Sequence, residues 1–66
     1  MKEKLIDTYE VLISSNHIII SIVKKNDKYI VEKCVINDCS IKLLHSEKFN
    51  THEQALKIFD KLKATI

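Results

Sequence analysis

The stretch HIIISIVKK, residues 17–25, decides the fold. Five of its nine residues are Ile or Val, whose β-branched side chains are stiff at χ1 and suit a pleated sheet better than a helix. Asn16 precedes it and Asn26-Asp27 follows it, and both residue types favour turns. The run is therefore a strand, and one that is apolar on both sides. A strand of that kind needs a neighbour on each edge and a cover on each face.

The residues downstream supply neighbours. YIVEKCVI (29–36) and IKLLHSEKF (41–49) are further strand-like runs, and the three together predict an antiparallel meander. The chain contains no Gly, so Asn and Asp must take any turn position with positive φ. They punctuate the sequence at Asn16, Asn26-Asp27, Asn37-Asp38 and Asn50. Upstream, Tyr9, Val11 and Ile13 alternate as in a strand, while Leu5, Tyr9 and Leu12 also fit one helical face. Of these two readings a strand at about 8–14 is preferred, with residues 1–7 frayed.

The C-terminal segment predicts a helix over about 52–65. Thr51 is a good N-cap, and Gln54 three residues later completes a capping-box pattern. Glu53 lies in the first turn and Lys61 and Lys63 near the last, as the helix dipole prefers. Ala55, Phe59, Leu62 and Ile66 form one apolar stripe, widened by Leu56 and Ile58. The expected fold is a single α+β domain: a three- or four-stranded antiparallel β-meander with one C-terminal helix packed on one face.

Registers follow from asking which pairings segregate apolar side chains. A four-residue loop 37–40 sets Ile36 opposite Ile41, Cys34 opposite Leu43 and Glu32 opposite His45. A three-residue turn 26–28 puts Ile18, Ile20 and Ile22 on one face with Ile30, Cys34 and Ile36, and Phe49 joins this helix-facing core. The other face then carries Ile19, Val23, Tyr29, Val31, Val35 and Leu44, which one helix cannot also cover. Such a patch marks an interaction surface. Its occupant is the N-terminal segment, a different protein or, by preference, a second copy; a lysine at Val31 should then split the pair.

Composition narrows the function. At 66 residues only about 60% of the unfolded chain's surface can be buried, so association is a common remedy for a small core. Apolar residues make up 45% and charged residues 30%, which excludes a disordered chain. Missing Gly, Pro and Arg alongside eleven Ile and eleven Lys point to an AT-rich gene, from a low-GC bacterium or a phage or mobile element living in one. The longest apolar run, Ile18–Ile20, is too short to cross a membrane, and no signal-peptide core is visible. Together with two cysteines, this predicts a cytoplasmic protein with reduced thiols and no membrane partner.

Chemistry finds little to stand on. Cys34, Cys39, His45 and His52 could be taken as metal ligands, but their spacing, C-x4-C-x5-H-x6-H, lacks the close ligand pair of a zinc knuckle. Glu32 and His45 resemble half an acid–base pair, yet a polar cross-strand pair in a sheet explains them equally. A Gly-rich phosphate loop cannot form without Gly. The expectation is a non-enzymatic protein with no cofactor. Lys24, Lys25 and Lys28 flank one turn and could contact phosphates, so a small nucleic-acid-binding regulator is the alternative. Against it stand a net charge of only +2 and the lack of any Arg for bidentate base contacts.

From Tyr29 onward the pattern of KYIVE (28–32), the Asn37-Asp38 turn and KFNTHEQALKIF (48–59) resembles small phage and mobile-element proteins of β-meander-plus-helix type. The shared features are generic: alternation, a turn and a capped helix. The resemblance implies an accessory protein or a stoichiometric, often dimeric, inhibitor of a host enzyme or defence system, as anti-CRISPR proteins and repair-enzyme inhibitors are. Self-association is thus the first partner expected and a host protein the second.

Overall fold

The computed structural model describes residues 3–38 and 40–65. The HIIISIVKK run lies in β2 (Asn16–Lys25), set between β1 (Glu3–Ile13) and β3 (Lys28–Asn37), with β4 (Ser40–Phe49) beyond. They form one antiparallel sheet in the order β1-β2-β3-β4. The helix α1 (His52–Ala64) packs across β2, β3 and β4 on one face, completing the expected α+β architecture.

β1 begins at Glu3, so residues 3–7 are not frayed as expected, while residues 1 and 2 lie outside the described ones. A bulge at Ile6 absorbs a register shift and lets Leu5 pair with Val23 and Glu3 with Lys25. The Glu3 carboxylate lies 3.6 Å from the Lys25 ammonium. Because this segment is an edge strand within the sheet, it does not fold across the second face.

Both N-terminal hairpins close through two-residue turns. Ile13 pairs with Asn16 and Lys25 with Lys28, and the first turn residue in each has positive φ: 57° at Ser14 and 58° at Asn26. Asn26 fills the role foreseen for Asn and Asp, but in the first hairpin Ser14 takes the left-handed position rather than Asn16. A left-handed backbone costs an L-residue about 1–2 kcal/mol, whereas Gly adopts it freely and gives back part of the gain as chain entropy. Ser14→Gly should therefore stabilise the fold by about 1 kcal/mol. A higher urea midpoint at unchanged slope is the expected reading, and a lower midpoint would contradict it.

The Asn26-Asp27 turn is one residue shorter than the turn expected over 26–28, and this corrects the register. Ile22 faces Val31 and Lys24 faces Tyr29, so every side chain of β3 changes side. Tyr29, Val31 and Val35 lie on the helix side with Ile18, Ile20 and Ile22, while Ile30, Cys34 and Ile36 join Ile19 and Val23 opposite. The physical cause is that Asn26 tolerates positive φ, which permits the two-residue turn whose twist suits the flanking strands.

Between β3 and β4, Ile36 faces Ile41 and Cys34 faces Leu43 as expected, but Asn37 also pairs with Ser40, leaving only positions 38 and 39 between the strands. Cys39 lies outside the described residues. A bulge at Leu44 then sets Lys33, not Glu32, opposite His45.

The core is small. Among the described residues Ile20, Ile22, Val31, Ala55 and Phe59 are buried, with Ile6, Tyr29, Phe49, Ile58 and Leu62 packed around them. The helix is capped as its sequence foretold: Thr51 Oγ1 accepts from the Gln54 amide at 3.3 Å. His52, its first residue, stacks on Tyr29 with ring centroids 5.5 Å apart, fastening the start of α1 to β3. At the other end Lys63 sits over the rings of Phe59 and Tyr9.

Candidate functional site: the open face of the sheet

Side chains of directly opposed residues share a face, so the pairings fix what the side away from α1 displays. Leu5, Val23, Ile30 and Lys48 form one row across the four strands. The next row is polar: Thr8, Ser21, Glu32 and Ser46. Beyond it come Glu10, Ile19, Cys34 and Leu43, then Leu12, His17, Ile36 and Ile41. The result is a largely apolar face crossed by one wholly polar row. The charged row Glu3, Lys25 and Lys28 bounds it at one end, and Lys48, Glu10 and His17 are among its other members.

Nothing in the described chain covers this face. Leu5 is 59% exposed, Leu12 71%, Leu43 58% and Ile41 75%. Ile19, Val23, Ile30, Cys34 and Ile36 are half-buried, shielded only by their neighbours in the sheet. Glu32 stands in the middle with no ion-pair partner among the described residues. Near the rim, Glu10 holds His17 at 2.9 Å.

Of the six residues expected to form an interaction surface, Ile19 and Val23 lie on the open face, and Leu44 sits half-exposed in the β4 bulge. Tyr29, Val31 and Val35 face the helix side, and Val31 is wholly buried there. Their places are taken by Ile30, Cys34 and Ile36, with Leu5, Leu12, Ile41 and Leu43 extending the face onto the edge strands. The edge leucines were legible as apolar residues, but their side of the sheet depends on the two bulges.

The remaining candidates are scattered. His45 contacts Glu47 two residues along its own strand, Nε2 to Oε1 at 3.1 Å, while Glu32 faces Ser46; the expected Glu32–His45 pair does not form. Among the described residues no three His, Cys, Asp or Glu side chains converge, and no cavity opens. Among the described residues no helix is long and apolar enough to cross a membrane. The three hairpin lysines do not make one patch: Lys25 and Lys28 are opposed on the open face, and Lys24 is on the other. Lys24 lies on the helix side over the Tyr29 ring, Lys25 pairs with Glu3, and Lys28 donates to Asn50 Oδ1.

Comparison of this chain with protein-family models, curated proteins and solved structures finds no match.

Proposed function

We propose that this protein is a non-enzymatic protein-interaction module that works as a homodimer joined through the open sheet face. The observation that carries the reading is the imbalance between the two sides of the sheet. Three sheet side chains, Ile20, Ile22 and Val31, are buried against Ala55 and Phe59 of α1, whereas the opposite face leaves four large aliphatic residues more than half exposed. A two-layer domain of this size has a small core, and covering the second face is the direct way to enlarge it. The edges are poorer candidates for association. β1 and β4 each carry a bulge and charged side chains, among them Glu3, Lys4, Asp7, Lys42 and Lys48, which discourage strand addition.

A dimer closed in this way has its helices outward and presents two identical surfaces to a third partner. That form suits the small accessory proteins and host-enzyme inhibitors that the sequence resembles. A cytoplasmic setting, in which Cys34 stays a thiol within the interface, belongs to the same reading.

Light scattering coupled to size exclusion tests it. A mass near twice the 7.7 kDa of one chain, at high micromolar concentration, is expected. A clean monomer at that concentration would overturn the proposal.

A further inference from the structure

We infer that the two copies stack sheet on sheet about a two-fold axis that runs along the strands between β2 and β3, so that each Glu32 meets the partner's Ser21. This rests on the homodimer reading and specifies its geometry. The polar row is the reason. An isolated carboxylate on a face that becomes dry is costly unless a donor reaches it. With the axis along the strands, β2 of one copy lies over β3 of the other and each row meets its own reverse. The row Thr8–Ser21–Glu32–Ser46 then supplies what it needs from itself. The Ser21 hydroxyl donates to the opposing Glu32, and Thr8 lies against Ser46. On either side of that row, Val23 covers Ile30 and Ile19 covers Cys34.

The competing two-fold axis runs across the strands through the polar row. It would set Glu32 against Glu32 at the centre of the interface, where like charges repel strongly. Shifting one sheet along the other by a row places Glu32 on Ile30 or Cys34, with no hydroxyl donor opposite it. Of these packings, only the axis along the strands gives the Glu32 carboxylate a hydroxyl donor while keeping Val23 on Ile30 and Ile19 on Cys34.

The area is sufficient. Ten-residue strands span about 33 Å and four of them about 19 Å, giving roughly 600 Å² of face per copy. Two copies bury about 1,200 Å², the lower end of stable protein interfaces.

The two axes place the same residues at different separations. With sheets about 10 Å apart and strands about 4.8 Å apart, the axis along the strands brings the two Cys34 Cα atoms to about 11 Å. The axis across them leaves about 17 Å. In a Cys39→Ser protein, where Cys34 is the only thiol, a short bismaleimide should therefore convert the dimer to a covalent pair. A Thr8→Cys protein with both native cysteines changed to Ser should not cross-link, because β1 then faces β4 of the partner. Under the competing axis the two results exchange, and that exchange would overturn this geometry while leaving the homodimer standing. A dimeric mass with neither protein cross-linked would also overturn it. A monomeric mass for the unmodified chain would overturn the homodimer itself, so the two failures are distinguishable.

Discussion

Val31→Lys is expected to unfold the chain. Val31 faces Ile22 across the sheet and is fully buried beneath α1 with Phe59 and Ala55. The change removes about 1.5–3 kcal/mol of side-chain burial and leaves an ammonium group that must either lose its charge or tear the helix from the sheet. An uncompensated buried charge typically costs several kcal/mol more. Against this, a domain of 66 residues has only about 3–10 kcal/mol of net stability at typical values per residue. Circular dichroism should lose its folded signal and amide NMR resonances should collapse into the unfolded range. A cooperatively folded Val31→Lys protein would mean that the β2–β3 register is wrong. The alternation of β3 on its own predicts something different, a folded protein that has merely lost its partner.

Ile30→Glu, one residue earlier, should behave in the opposite way: folded, but monomeric. Ile30 points to the open side, between Val23 and Lys48, and a carboxylate there can pair with Lys48 in the free chain. In the dimer it would meet the partner's Val23 in a dry layer. The two-fold symmetry doubles the penalty, because each interface carries two such carboxylates. Lys48 stays beside each, but an ion pair taken into a dry layer costs about 1–4 kcal/mol relative to an apolar side chain. Counted twice, at about 1.4 kcal/mol per tenfold in affinity, dissociation should strengthen by about a hundredfold. The mass should fall to that of one chain while far-ultraviolet circular dichroism remains that of the native fold. A dimer that survives Ile30→Glu would locate the interface elsewhere.

The contrast between these neighbours shows where the sequence was ambiguous. On β3, one side reads Tyr29, Val31, Lys33 and Val35, and the other reads Ile30, Glu32, Cys34 and Ile36. Each set has three apolar members (taking Cys34 as one) and one charge, so hydrophobic segregation cannot choose between registers that differ by one residue. The choice falls to the turn. Whether Asn26 takes positive φ decides between two and three residues in the loop, and local sequence permits both. The bulges at Ile6 and Leu44 were hidden for a related reason. A bulge answers to the path of the neighbouring strand, and it leaves no mark in the alternation of its own. The first bulge extends β1 back to Glu3, and the second separates Glu32 from His45.

Other features were plain because their causes are local. Ile18–Ile20 with Ile22 and Val23 could only be a strand, since five β-branched side chains between turn residues have no better conformation. Thr51, Gln54 and the stripe through Ala55 and Phe59 settled α1, because a cap and a 3.6-residue period are properties of neighbours in sequence. From these the α+β fold, and the surplus of apolar surface over what one helix covers, followed from the sequence alone. Which residues form that surplus was decided only by the tertiary structure. Side-chain direction in a sheet alternates with every residue, so a single turn residue at 26–28 sets whether Val31 is core and Ile30 surface, or the reverse.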